Sequence, residues 1–308
     1  MKIWFDILTP KQHLFFEYFI QKLRNQHKII STTRRYEQVN GIQKFGTINP
    51  MIIGKHGGKN NVNKLLASLD RTKLLTKKIQ NNKPDFLVSF CSPEASRVAY
   101  GLGIPHIAFS DSPQAKAVMK LSLPYVTKLL TPWIFPKSDF KEFGINPRNI
   151  TQYRSIDAGV IIRNYKKTKG RKSTGRKTIL IRPEESEAAY VNKKSIIKKI
   201  IEKVITEFPD EEKIVLSRYK EQTNKLKKDF GREIKILSKP VNGKEILNNL
   251  DCFIGSGGTM TAEAGLLGIP TISLNTIPNR IEDFLVKNKI VVRSESPNRI
   301  SREIFQAL

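Results

Sequence analysis

Short apolar runs alternate along this chain with longer stretches whose apolar positions recur every three or four residues. The short runs suit strands, and the longer stretches suit helices with one buried face. Residues 2–8 read as a first strand, broken by Thr9-Pro10. Lys11–Gln26 then places Leu14, Phe15, Phe16, Phe19, Ile20 and Leu23 at helical spacing. Ile29–Thr33, Met51–Ile53, Asp85–Phe90, His106–Phe109, Leu129–Thr131 and Ile150–Tyr153 read as further strands, with helices predicted over Val62–Gln80 and Glu94–Tyr100.

The pattern stops at Arg163–Lys177, which holds eight basic residues and no acid, with Gly170, Ser173, Thr174 and Gly175 among them. Like-charged, Gly/Ser-bearing runs stay solvated, so this stretch reads as a linker. It divides the chain into a domain over 1–162, a basic linker over 163–177 and a domain over 178–308. After it the alternation resumes. Strands are predicted at Thr178–Ile181, Ile214–Ser217, Ile234–Leu237, Cys252–Ile254, Thr271–Leu274 and Ile290–Val292. Helices are predicted over Lys193–Glu207, Glu221–Phe230, Lys244–Leu250, Thr259–Leu267 and Arg280–Lys287. Strict alternation makes a parallel sheet covered on both faces, with ligands outside the carboxyl ends of its strands. The expected fold is α/β, two Rossmann-like domains facing each other across a cleft.

Residues at those strand ends are the candidates for chemistry. In the second half they are Arg182, Arg218, Asn275 and the turn Gly255-Ser256-Gly257-Gly258, which leads into Thr259 and a helix. A Gly-rich turn feeding a helix leaves first-turn N–H groups aimed at one spot, which suits a phosphate. Glu263 lies about one helical turn inside and reaches for hydroxyl groups of the same ligand. Arg182 and Arg218 offer forked donors to a diphosphate; the competing reading pairs them with acids such as Glu184 and Glu185. For the glycine turn, the competing reading is a plain βαβ unit whose glycines serve packing. The spacing is not that of a dinucleotide fingerprint.

In the first half the strand ends place Asp6 to His13, Gly57-Gly58, Ser92 and Asp111. His13 is a candidate general base, since an imidazole titrates near neutral pH. Asp111 is a candidate for accepting a proton or orienting an acceptor hydroxyl. A helix-start histidine also serves as a surface or capping group, and a turn aspartate bonds its own backbone. No DxD, HExxH or Walker lysine is present, so neither a metal nor ATP hydrolysis is expected, and no cofactor is required.

Charge and cysteine usage narrow the setting. The 308 residues carry 54 Lys and Arg against 28 Asp and Glu, a net charge of +26. Such an excess concentrates anions such as phosphorylated metabolites, acidic lipid headgroups or nucleic acid, the last being the least favoured here. A lysine-rich composition spread over solvated helix faces accounts for it equally. Cys91 and Cys252 sit in or beside apolar strands without metal-ligand spacing and read as buried thiols of a reducing compartment. No apolar run is long enough to span a membrane, and the start lacks the order of a signal peptide. The expected location is the cytoplasm, with peripheral contact at the inner membrane face as an extension.

Ser256-Gly257-Gly258, Glu263, Gly268 and Pro270 together resemble the carboxyl-domain signature of B-fold glycosyltransferases. The similarity is greatest to the membrane-associated N-acetylglucosaminyltransferase of peptidoglycan synthesis, whose Ser-Gly-Ala turn, Glu and Gly-x-Pro share this spacing. The non-hydrolysing UDP-N-acetylglucosamine 2-epimerases have a related Ser-Gly-Gly turn with Gly-x-Pro one residue closer. The whole chain also resembles an uncharacterised, largely archaeal domain-of-unknown-function family grouped with these folds. That resemblance runs through WFDILTPKQHLFFEYFI, FSDSPQA, IRPEESEAAY, SRYKEQ and GSGGTMTAEAGLLGIPTIS. It implies a GT-B-like fold, ribose binding by Glu263, diphosphate binding by Ser256 to Thr259, and His13 in the loop where such transferases place their base. The first loop, Asp6 to Pro10, departs from the Gly-rich loop of those transferases. The resemblance also implies a final helix that crosses back to the first domain, and the chain, ending at Leu308, is expected to stop short of it.

These readings combine into a metal-independent transferase that moves a sugar from a nucleotide diphosphate to an acceptor, for which a lipid is one choice. Two alternatives stay open. One is a sugar-nucleotide 2-epimerase on the same fold. The other is a non-catalytic basic protein that binds RNA or anionic membrane through Arg163–Lys177.

Overall fold

The computed structural model describes residues 1–35, 47–58, 60–163, 165, 175–183, 196–217, 220–238, 241–274 and 279–308. Two compact units divide the chain, Met1–Val160 and Ile161–Leu308. The basic run over 163–177 falls largely outside the described residues, as do Glu184, Glu185, Arg218 and Asn275.

In the first unit, β1 (Lys2–Asp6), α1 (Pro10–Leu23), β2 (Lys28–Arg35), β3 (Met51–Lys55), α2 (Asn61–Gln80), β4 (Phe86–Ser89) and α3 (Pro93–Gly101) succeed one another. They continue into β5 (His106–Phe109), α4 (Lys116–Ser122), β6 (Lys128–Pro132), α5 (Ser138–Lys141) and β7 (Ile150–Tyr153), and α6 (Asp157–Ile162) follows. The seven strands lie in the order β3-β2-β1-β4-β5-β6-β7, every pair parallel. The order reverses between β1 and β4, which opens a crevice at their carboxyl ends.

Local chemistry fixes the elements around that crevice. Thr9 is extended, accepts a bond from the Gln12 amide, and precedes Pro10 at the first helical position, so α1 starts directly after β1. Phe15 from α1 meets Phe90 and Phe109 edge-on, and Phe16 meets Phe109 edge-on and Phe90 at a tilt, which seats the helix on the sheet. On the other face, α2 buries Ala67, Arg71, Leu75 and Ile79. Arg71 is held by Asp6 at 2.6 Å, by Glu94 at 3.4 Å and by the Ile53 carbonyl. Burial alone would raise the Asp6 carboxyl, but Arg71 and the Thr32 hydroxyl hold it below its ordinary range.

The second unit repeats the scheme with β8 (Thr178–Arg182), α7 (Ile197–Glu207), β9 (Glu212–Leu216), α8 (Lys220–Phe230), β10 (Lys235–Leu237) and α9 (Gly243–Leu247). It closes with β11 (Cys252–Gly255), α10 (Thr259–Leu266), β12 (Thr271–Ser273), α11 (Arg280–Lys287), β13 (Val292–Arg293) and α12 (Pro297–Ala307). Its six strands run β10-β9-β8-β11-β12-β13, again all parallel. One core lies between this sheet and α7 and α12, where Ile200, Ile201, Ile300 and Ile304 are almost wholly buried. The opposite face packs Phe253, Leu180 and Ala264 with Leu247.

The expected strand at Ile290–Val292 begins later, at Val292. Lys289 takes a left-handed φ of 58° and the Ile290 amide bonds back to Leu285, so Ile290 belongs to the turn that closes α11. Helices α4, α5, α6 and α12 were not expected from periodicity. Of these, α12 is fixed by Pro297 in its first turn and by the buried pair Ile300 and Ile304. Among the described residues no helix is long and apolar enough to cross a membrane, and no group of three or more His, Cys, Asp and Glu is arranged to hold a metal ion.

Candidate functional site

In the second unit the order reverses between β8 and β11, and the register pairs Arg182 with Gly255. The structure therefore brings Arg182 beside the glycine turn, at the carboxyl ends of the two strands that flank the reversal. The Arg182 guanidinium donates to the carbonyls of Leu216 at 2.9 Å and Ser217 at 3.1 Å, which fixes the side chain across the end of β9.

Each glycine of the turn has its own reason. A Cβ on Gly255 would lie 2.3 Å from the Thr261 hydroxyl. One on Gly257 would lie 2.8 Å from the Glu282 carboxylate, and its φ is +85°. Gly258 has a φ of +112°, yet a Cβ there would meet nothing within 4 Å among the described residues. The backbone conformation demands glycine, and the space in front of it is open. Gly258 is also the N-cap of α10 and has no side chain with which to cap the first amides of that helix. Ser256 is buried in the turn, and Thr259 opens the helix.

Glu263 is 4% exposed, one turn into α10. It accepts a hydrogen bond from the Tyr165 hydroxyl at 3.2 Å, and the Lys244 ammonium lies 5.0 Å from the centre of the Tyr165 ring. Behind the turn, Glu282 accepts from the Ser273 hydroxyl at 2.7 Å and from Arg293 at 3.2 Å. Burial pushes the Glu282 carboxyl up despite those partners. The glycine turn and the start of α10, with Arg182 beside them and buried Glu263 one turn on, bring together groups suited to an anion that also bears hydroxyls.

The first unit holds a second polar cluster. Lys11, in the first turn of α1, binds the carboxylate of Asp111 and that of Asp157, the latter at 2.6 Å. Asp157 also accepts the Tyr153 hydroxyl at 2.5 Å, and Asp111 accepts the Ser112 hydroxyl at 2.9 Å. The Lys11 ammonium stands 5.3 Å from the centre of the Phe90 ring. Asp111 follows β5 and Asp157 follows β7, so the cluster gathers at the carboxyl ends of the strands. Burial opposes the charge on Lys11, but the two aspartates outweigh it and raise its pKa. The aspartates themselves diverge. Burial raises both, Lys11 and Ser112 pull Asp111 below its ordinary range, and Asp157 is pushed up to about 6. Neighbouring carboxylates that share one cation do not ionise alike, and the split sets a charged acceptor beside a group that takes up its proton below neutrality, near pH 6.

Asp111 is thus in the cluster, whereas His13 is not part of its bonding. His13 is fully buried, and neither ring nitrogen has a hydrogen-bond partner among the described residues. Burial lowers its pKa and keeps it neutral, with Glu17 opposing. Arg218 lies outside the described residues. Tyr153 and Asp157 were not singled out by sequence, and Lys11 was placed only as part of the strand-end stretch Asp6 to His13. The signal available was positional: each sits next to the carboxyl end of a strand, where Asp111 was already placed.

The fold is shared with sugar-nucleotide enzymes. The structure of a UDP-GlcNAc 2-epimerase from Neisseria meningitidis bound to UDP-GlcNAc is similar with a TM-score of 0.76, at 14% identity, over 99% of this chain and 91% of the other. The UDP-GlcNAc 2-epimerase of Methanocaldococcus jannaschii in complex with UDP-GlcNAc and UDP gives 0.74 at 16% identity, over 100% and 93%. The glycotransferase of kitacinnamycin gives 0.61 at 12% identity, over 99% and 90%. Among curated proteins, the uncharacterized protein MJ0665 of Methanocaldococcus jannaschii is 28% identical over 352 aligned positions, 98% of this chain and 97% of that one. A family model described as "Protein of unknown function (DUF354)" matches residues 1–306, and the chain belongs to that family.

Proposed function

We propose that this protein is an enzyme that binds a nucleotide-diphosphate sugar and transfers the sugar to an acceptor hydroxyl. The observation that carries the donor is the Gly257-Gly258 turn at the start of α10, open in front of Gly258 and followed one turn later by buried Glu263. In this reading the α10 amides, the Ser256 hydroxyl and Arg182 take the diphosphate, with Arg218 as a further candidate. Glu263 takes the ribose hydroxyls. A helix terminus contributes about 0.3–1 kcal/mol, and a charged hydrogen bond about 1.5–3 kcal/mol. Micromolar binding needs about 8 kcal/mol, so the groups must act together. No metal or cofactor enters the scheme.

The acceptor chemistry falls to Asp111, whose ionised carboxylate takes the hydroxyl proton while Lys11 holds it in place. The α10 amides with Arg182 stabilise the departing diphosphate. His13, neutral by burial, remains a candidate base that would need access to solvent to serve. The second reading is epimerisation, favoured by the full-length likeness to the 2-epimerases. Against it, the Gly268-x-Pro270 turn lies one residue farther from the glycine turn than in those epimerases.

The test is thermal unfolding with UDP, GDP, ADP, CMP and dTDP, on the native chain and on Glu263→Ala. A ligand at one hundred times its dissociation constant stabilises by about 2.7 kcal/mol. One nucleotide that shifts the native chain but not the variant supports the donor site; no shift from any nucleotide would sink it. Conversion of a sugar nucleotide by the protein alone, without acceptor, would select epimerisation over transfer.

A further inference from the structure

The run over 163–177 reads as a solvated linker, yet its one aromatic residue is bound into the second unit. Tyr165 is half-buried and packs against the core face built by Leu180, Leu247, Phe253 and Ala264. Its amide donates to the Ile162 carbonyl at 2.7 Å, at the end of α6. Its hydroxyl donates to Glu263 Oε2 at 3.2 Å, and a Cβ on Gly243, the first residue of α9, would lie 4.0 Å from that hydroxyl. The Lys244 ammonium, from the next residue of α9, stands 5.0 Å from the ring centre. Packing and a cation thus hold the ring, while the hydroxyl rests on one oxygen of a buried carboxylate.

We infer that Tyr165 is a positioning residue for the donor: it orients the Glu263 carboxylate so that this group takes two neighbouring ribose hydroxyls at once. The inference rests on the reading of Glu263 as the ribose-binding group. The terminal torsion of a glutamate is broad, so a carboxylate left to itself samples many orientations. A pair of neighbouring hydroxyls needs one of them, and ordering a loose side chain at the moment of binding subtracts from affinity. The bond to Oε2 supplies that order before the ligand arrives. A carboxylate has about four acceptor positions, so a bond from Tyr165 is compatible with bonds from the ribose. Tyrosine suits the task because its rigid ring has few torsions, and the core rather than solvent places its hydroxyl. Phenylalanine keeps the ring and loses only the bond, which makes the hydroxyl separable from the packing.

The experiment is calorimetric titration of the full chain with UDP, GDP, ADP, dTDP and inorganic pyrophosphate. It compares the native protein with Tyr165→Phe, Glu263→Gln and the double variant. Pyrophosphate carries no ribose, so it reports on the glycine turn and Arg182 apart from Glu263. Tyr165→Phe is expected to weaken the nucleotide that the native chain binds by about tenfold, and to leave pyrophosphate unchanged. On the Glu263→Gln background the same substitution should cost less than about twofold, because both changes act through one group. An unchanged nucleotide affinity in Tyr165→Phe would overturn the inference, as would equal weakening of nucleotide and pyrophosphate. A tenfold loss repeated on the Glu263→Gln background would overturn it too. So would tighter nucleotide binding by Tyr165→Phe, which would make the hydroxyl a competitor of the ribose. A native chain that binds dTDP alone also contradicts it, since deoxyribose offers no pair of neighbouring hydroxyls. The donor reading fails by different results: no nucleotide binds the native chain, or Glu263→Gln binds as tightly as the native chain. Either of these takes the inference with it, whereas the preceding outcomes remove the role of Tyr165 and leave Glu263 in place.

Discussion

The ammonium of Lys11 lies 2.6 Å from the carboxylate of Asp157 and also binds Asp111, so one cation neutralises two buried acids. Removing it is therefore worse than removing either acid. Lys11→Met leaves two carboxylates without their cation, and we expect a loss of about 3–5 kcal/mol in urea denaturation at pH 7. Asp157→Asn leaves the Lys11–Asp111 pair whole and can still accept from Tyr153, so its loss should stay near 1–2 kcal/mol. Equal losses for the two variants would show that the cluster does not act as a shared-cation site.

Activity should rank these residues differently from stability. Under the proposed transfer, Asp111→Asn removes the charged acceptor and should lower kcat by about 10²–10⁴. Its cost in stability should be small, because Lys11 keeps Asp157. Sugar transfer with the identified donor checks this, and a kcat within a few-fold of the native value would remove Asp111 from the chemistry.

The two turn glycines make a sharper pair. At Gly257 an added methyl group meets Glu282 at 2.8 Å and a φ of +85°, so Gly257→Ala combines a clash with strain. At Gly258 the methyl group meets nothing, and only the φ of +112° opposes it. We expect Gly258→Ala to cost about 1–2 kcal/mol in stability, with nucleotide stabilisation lost because the methyl group enters the open space. Gly257→Ala should cost more. Denaturation of the two variants with and without nucleotide tests the order; full nucleotide stabilisation of Gly258→Ala would place the ligand elsewhere.

Much of this was legible from sequence, for definite reasons. Strand–helix alternation set both parallel sheets, since Pro10, Gly268 and the apolar runs mark boundaries by local chemistry alone. The glycine turn and Glu263 were legible because positive φ and a helix start leave a local signature. The Lys11–Asp157 pair was not, because it joins residues from opposite ends of the first unit, one in the first turn of α1 and one at the start of α6. The burial of His13 had a signal that was passed over: His13, Phe16, Glu17 and Ile20 share one helical face, and all four are buried. Arg71 shows the same on α2, at helical spacing with Ala67, Leu75 and Ile79.

His106 carries the last prediction. Its ring bonds the Ser89 hydroxyl at 2.9 Å in a fully buried position, and burial lowers its pKa to about 3, with distant Asp6 opposing. An unfolded histidine titrates near 6.5. Below that pH the unfolded chain binds a proton that the native one refuses, so stability falls as pH drops, by about 1.4 kcal/mol per pH unit until pH nears 3. At pH 5 the cost of this one ring is about 2 kcal/mol relative to pH 7. Asp157 works in the other direction. Its carboxyl, raised to about 6, takes its proton in the native state first and adds stability as pH falls from about 6 towards 4. The two effects are separable by substitution. His106→Gln should be less stable than the native chain at pH 7, through the lost fit and hydrogen bond. At pH 5 it should recover about 2 kcal/mol of that deficit, because the penalty for a neutral buried ring is gone. Urea denaturation of both proteins at the two pH values measures this directly. A deficit that stays the same at pH 5 would mean that His106 takes up its proton in the folded protein.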